Sequence, residues 1–261
     1  MKAHPTAVVA KDAEIAPDVE IGPYAIIGPH VRLGAGTKVS SHVVIEGHTR
    51  IGERCSIYPG ACLGLPPQDK KFTGGLTWLV IGDDNVIREH VTMHSGSQPE
   101  SSTVVGARNY FMVGSHVGHD CRVGDDAILA NSAALGGFVV VEDRAVLGGL
   151  VGVHQFCRVG KLAMVGALAK VSMDIAPFSV ADGNPARFAG PNVVGLRRAA
   201  VPTARIMHLK KALKILLASA LSTARAIERV RDEVPKTPEI DHLLTFIRAS
   251  KRGVSRVHTE A

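Results

Sequence analysis

An aliphatic residue recurs every six positions along the first two thirds of the chain. The series runs Val9, Ile15, Ile21, Ile27, Leu33, Val39, Ile45, Ile51, Ile57, Leu63 and resumes at Ile81, Ile87 and Met93. It then continues from Val105 through Phe111, Val117, Val123, Leu129, Leu135, Val141, Leu147, Val153, Val159 and Val165 to Val171. A helix repeats every ~3.6 residues and a half-buried strand every ~2, so neither produces this spacing. A parallel β-helix does: each hexad forms one flat side of a coil and turns a corner, with the aliphatic side chain pointing inward. Small residues follow many of these positions (Gly22, Gly118, Gly160) where the chain must turn tightly. Three hexads close a triangular coil, so residues eighteen apart are expected to stack.

The hexads stop near Val171 and give way to a Pro/Gly-containing exit, Ile175 to Pro185. From Asn192 the period becomes helical. Pro202-Thr203 opens a helix with Ile206, Leu209, Leu213, Leu216 and Leu217 on one stripe. A second helix fits Ser222 to Val234, with Ser222 as its N-cap and Pro235 ending it. A third fits Pro238 to about Ser250. The expected organisation is an all-β parallel β-helix over 1–191 and a small helical domain over 192–261. Such a cap also covers strand edges that would otherwise recruit other chains.

Two insertions break the rhythm. Leu65 to Leu79 holds Gln68-Asp69-Lys70-Lys71 and the only tryptophan, Trp78; Ser95 to Ser102 is short, polar and expected to be mobile. A coil tolerates extra residues only at corners, where they project outward, so both are candidate walls of a binding site.

Charge is unevenly placed. Residues 192–261 carry 14 Lys/Arg against 6 Asp/Glu, whereas residues 1–191 carry 16 against 18. The basic excess is therefore C-terminal and suits an anionic partner: an acidic protein, a phosphorylated substrate or nucleic acid. Nucleic acid fits least, because the basic residues lack interleaved aromatics or a binding motif. The four cysteines show no CxxC and read as reduced thiols. No apolar run approaches the ~20 residues of a membrane span. A soluble, cytoplasmic protein is expected.

The densest polar cluster within the hexads is Ser115-His116-Val117-Gly118-His119-Asp120. Val117 points inward, which sets His119 at an outer corner beside Asp120. Steps of eighteen stack Gly137 and then Gln155 above His119, with His154 over Gly136 and Gly118 in the next column. A histidine beside an aspartate has the parts of a general base with an orienting carboxylate, and a glycine N–H one coil away could stabilise an oxyanion. Spacing alone leaves open solvated or interface histidines. His30 and His48, which share a corner type without this constellation, read as structural. A zinc site built from His90, His94, His116 and His119 would leave the insertions and the basic cap without a role, so no metal is expected.

These residues resemble those of the UDP-N-acetylglucosamine O-acyltransferases that begin lipid A synthesis, over nearly the whole chain. The match is carried by Gly28-Pro29-His30, Ser41-His42-Val43-Val44, Gly47-His48-Thr49, Gln68-Asp69 with Lys71, and His116 with His119-Asp120-Cys121. It continues through Ile128-Leu129-Ala130-Asn131, Val153-His154-Gln155-Phe156-Cys157 and Asn192 leading into Gly195-Leu196-Arg197-Arg198. The resemblance implies a homotrimer of left-handed parallel β-helices with sites between subunits. It implies a 3-hydroxyacyl donor on the phosphopantetheine of acyl carrier protein, a UDP-amino sugar acceptor, and no other cofactor. His119 would be the base that deprotonates the sugar 3-hydroxyl, Asp120 its orienter and Gly137 the oxyanion donor. Gln68, Asp69 and Lys71 would line the sugar and acyl region. His94, His116, His154 and Gln155 would surround the nucleotide sugar and pantetheine arm, and Asn192 and Arg198 would reach the nucleotide and phosphates.

Three positions depart from the family pattern. Phe138 follows the oxyanion glycine where members have histidine, which opens acceptance of a 3-amino sugar. Ser95 replaces an arginine. Ala167 stands at the acyl-length ruler, where glycine admits long chains, so a somewhat shorter chain is expected. The pathway's later N-acyltransferase and a non-catalytic scaffold binding an acidic protein are the alternatives.

Overall fold

In the computed structural model, which describes residues 1–257, the hexads wind into a left-handed parallel β-helix of triangular section. Through the hexads every third strand pairs in parallel, which builds three sheets of eleven, nine and eight strands, here A, B and C. The register follows the eighteen-residue step: Val8 pairs with Ile26 and Val44 with Cys62 in sheet B. Across the insertions the step lengthens but pairing is kept, Leu63 with Met93 and Met93 with Val117.

From Val19 onward each hexad buries two positions. The aliphatic column is fully inside, with Ile27, Ile45, Leu63, Leu129 and Leu147 at 1% exposure or less. Burying each such side chain stabilises the coil by roughly 1.5–3 kcal/mol. Two residues earlier lies a second inward column of small side chains, including Ala25, Ala61, Ala127 and Ala145. Cys55, Cys121 and Cys157 belong to this column, and all four cysteines are unpaired thiols. The small column fits the narrow corners as the aliphatic one fills the prism.

Both insertions leave sheet B and return in sheet C. The first joins the strand Cys62–Leu65 to Trp78–Ile81, the second Thr92–His94 to Ser102–Val105. They therefore share the B-to-C corner, the same edge on which His119-Asp120 joins His116–Val117 to Arg122–Val123. His30 and His48 stack near the start of this edge, ring centroids 4.3 Å apart.

After Val171 the chain does not simply exit. Ser179–Asp182 extends sheet A, and Arg187–Pro191 returns antiparallel to it. Gly183, with φ near 92°, makes the turn that an L side chain resists. Four helices follow: α1 (Val193–Arg198), α2 (Thr203–Leu217), α3 (Thr223–Glu233) and α4 (Pro238–Arg248). The short α1, capped by Asn192, starts where the period turns helical and buries only Leu196. The five residues of the α2 stripe are all buried. Ser222 and Thr237 cap α3 and α4 through their hydroxyls.

The helices share an apolar cluster with Leu162, Ala176 and Phe178 of the coil's end. Arg158 clamps the two parts. Its guanidinium pairs with the buried Asp174 at 3.0 Å, lies 3.8 Å over the Phe246 ring and donates to the Phe246 carbonyl.

Candidate active site

The B-to-C corner turns the arithmetic of the sequence into a groove of about 540 Å³ on the face of sheet B. Its lining brings together Gln68 from the first insertion with His94, His116, His119, Gly137, His154 and Gln155. The floor is flat because the outward positions above His116 are Ala134 and Gly152.

At its centre, His119 Nδ1 lies 2.9 Å from Asp120 Oδ2, and both side chains are largely buried, at 13% and 6% exposure. Burial alone would raise the Asp120 carboxyl. The hydrogen bonds from Ser101, His119 and Ser97 outweigh it and hold the group below the usual carboxylate range. An ionised acceptor makes Nδ1–H the donor, which leaves Nε2 with its lone pair available as a base. That edge of the ring faces Gly137: a Cβ built there would overlap the imidazole. The Gly137 N–H donates to no acceptor among the described residues.

The neighbouring imidazoles are held neutral. Burial first, then the charges of His94 and His119, push His116 down to about 4; His94 is lowered by burial and then by His119. His116 Nδ1 shares a 2.7 Å hydrogen bond with Thr92 Oγ1. His94 Nδ1 is buried without a hydrogen-bond partner among the described residues, at the groove. His154 is exposed, its Nδ1 3.1 Å from the Gln155 carbonyl. Among the described residues no three His, Cys, Asp or Glu side chains converge as metal ligands.

Other expected residues lie elsewhere on the chain. Asp69 turns inward to its own loop, accepting from the Lys71 amide at 2.9 Å, and neither residue lines the groove. Asn192 caps α1 and donates to the Leu162 carbonyl at the C-to-A corner, so both ends of its amide are engaged. Arg198 is exposed at the end of α1. Ala167 sits on the A-to-B corner, between the strands Met164–Val165 and Lys170–Val171, at the opposite edge of sheet B from His119. Phe138 packs edge-on to His119 at 5.3 Å and stacks on Phe156 at 4.8 Å, an apolar ladder beside the imidazole.

The second insertion is fastened rather than free. Ser95 N donates to the Leu65 carbonyl and Gly96 N to that of Trp78, and Ser95 and Ser97 are buried. Sequence reasoning missed Ser97 and Ser101, whose contacts cross the turn. It also missed Lys170, whose signal was present: steps of eighteen from Ala134 reach Gly152 and then Lys170 at the end of the groove.

Comparison with known proteins agrees with this geometry. Residues 174–255 match the family model described as Udp N-acetylglucosamine O-acyltransferase, domain 2. The acyl-[acyl-carrier-protein]–UDP-N-acetylglucosamine O-acyltransferase of Thermodesulfovibrio yellowstonii is 47% identical over 254 residues, covering 97% of this chain and 98% of that one. The enzyme of the same name from an Anaeromyxobacter species is 47% identical over 98% of this chain and 100% of its own. The crystal structure of the Moraxella catarrhalis UDP-N-acetylglucosamine O-acyltransferase superposes with a TM-score of 0.95 at 41% identity, over 98% of this chain and 100% of that one. With this identity along nearly the whole length, the chain belongs to the acyl-[acyl-carrier-protein]–UDP-N-acetylglucosamine O-acyltransferase family.

Proposed function

We propose that the chain transfers a 3-hydroxyacyl group from acyl carrier protein to the 3-hydroxyl of UDP-N-acetylglucosamine, the first step of lipid A synthesis, with His119 as general base. The observation that carries this reading is the His119–Asp120 bond beneath the unpaired Gly137 N–H. Nε2 of His119 takes the proton of the sugar hydroxyl as its oxygen attacks the thioester carbonyl. The new C–O bond gives a tetrahedral oxyanion that the Gly137 N–H stabilises. Collapse breaks the C–S bond, and the imidazolium returns its proton to the departing pantetheine thiolate. The flat Ala134–Gly152 floor supports passage of an extended arm along sheet B.

The working unit in this reading is a homotrimer. Asn192 and Arg198 lie at a different corner from the groove of their own chain, which suits a neighbouring subunit supplying them to the nucleotide phosphates. The basic helical end suits docking of an acidic carrier protein. Among the described residues, no helix is long and apolar enough to cross a membrane.

The test is turnover of purified enzyme with hydroxyacyl carrier proteins and UDP-N-acetylglucosamine, alongside His119→Ala. The variant is expected to stay folded and lose about a thousandfold or more in kcat; retained turnover sinks the reading. Because Phe138 offers the acceptor no hydrogen bond, the 3-amino sugar is assayed in parallel. Amide product formed faster than ester would move the preferred acceptor to the amine.

A further inference from the structure

Asp120 is held by the second insertion as firmly as it holds the base. Its Oδ2 accepts from the Ser97 amide at 3.0 Å and the Ser97 hydroxyl at 2.7 Å, besides His119. Its Oδ1 accepts from the Ser101 hydroxyl at 2.5 Å. The direction of the last bond is fixed locally. The Gln98 amide donates to Ser101 Oγ at 3.0 Å, so that oxygen is already an acceptor and its own proton is free for the carboxylate. Gly96 makes room for this turn, since a Cβ there would overlap Ser101. The carboxylate thus faces one imidazole and three donors from a single seven-residue loop.

That loop is also joined to the first insertion. Ser95 N bonds Leu65 O, Gly96 N bonds Trp78 O, Glu100 N bonds Leu76 O, and Thr77 Oγ1 donates to Ser95 Oγ at 3.0 Å. The loop that presents Gln68 to the groove and the loop that grips Asp120 are therefore tied into one backbone-bonded unit.

We propose that Ser97 and Ser101 are positioning residues for the general base: they fix the Asp120 carboxylate in its ionised form and orientation, and through it the donor state of His119 Nδ1. This rests on His119 being the base. A carboxylate with filled acceptor sites stays charged in a largely buried corner and cannot rotate away from the imidazole. The other titratable groups facing this corner are His94 and His116, both untouched by changes at the two serines.

The experiment compares Ser101→Ala, Ser97→Ala with Ser101→Ala, and Ser101→Thr in the full-length enzyme, with kcat, KM and pH profiles for each. Removing the Ser101 donor is expected to lower kcat about tenfold, and removing both hydroxyls about a hundredfold, with little change in KM for the sugar nucleotide. The acid limb of the kcat profile should move to higher pH by roughly half to one unit, because fewer donors then neutralise the Asp120 charge that faces the base. Ser101→Thr keeps the hydroxyl and should restore most of the rate. An unmoved acid limb, or a rate loss that threonine does not rescue, assigns the serines a merely structural role and overturns the proposal. His119→Ala serves as the control: activity retained there refutes the base itself, whereas activity lost there and unchanged in the serine variants refutes only this inference.

Discussion

Gly137 lies one coil above His119, and the space its missing side chain leaves is occupied by the imidazole edge. Its backbone has no need of glycine conformationally, since it is not among the positive-φ residues. The requirement is steric. Gly137→Ala should therefore fold normally, displace the His119 ring and lower kcat by about a hundredfold or more. Near-wild-type turnover with unchanged circular dichroism would contradict the close approach.

The neutral histidines predict a pH-dependent stability. His116 is lowered in the folded protein to about 4, against 6.5 for the free group. Between these values the unfolded chain binds a proton that the folded chain refuses, so stability rises with pH there. It is lost as pH falls from about 6.5 to about 4, with no further loss from this group below. The contribution is about 2 kcal/mol once partial exposure is allowed for, and His94 acts in the same direction. Denaturant unfolding across this window should show a shallower slope in His116→Gln; an identical slope would remove His116 as the cause.

Arg158 and Asp174 predict the strength of the clamp on the helical end. Asp174 is 1% exposed, so Arg158→Met leaves a buried carboxylate without its cation and removes a donor from the Phe246 carbonyl. Unfolding free energy should fall by about 3 kcal/mol. Replacing both, with Asp174→Asn added, should recover part of the loss, because the unpaired charge goes with it. Thermal melts of the three proteins check the order.

Ala167 stands on an exposed corner across sheet B from His119. If the acyl chain runs along that face in the proposed reaction, Ala167→Gly removes one methyl where its far end would lie. Preference should shift toward donors about two carbons longer, by roughly tenfold in relative kcat/KM. Competition assays with paired acyl carrier proteins measure it, and an unchanged ratio would place the chain terminus elsewhere.

Much of the site was legible because the coil is a ruler. Counting eighteen from His119 reached Gly137 and Gln155, and all three line one groove. The same count from Ala134 would have reached Lys170. What counting could not reach were the contacts of inserted residues, whose positions follow no period. Ser97 and Ser101 look like ordinary polar loop residues in sequence; only the folded turn brings their hydroxyls to Asp120. The expectation of a free second insertion failed for that reason. The helical onset at Asn192 was legible, but the separate bounds of α1 were not, because six residues with one buried leucine carry too little apolar period to set them.

By itself the sequence determined the coil, its inward columns and the stacking of the His119 stripe, because each hexad repeats a local condition: one aliphatic side chain in, one tight corner. Only the tertiary structure decided that the second inserted loop closes over Asp120 and is bonded to the first, and that the chain after the hexads brings Asn192 to a different corner. That outcome depends on how strands on either side of an insertion re-pair in register. Such pairing is a long-range choice made by the whole sheet, and no local pattern encodes it.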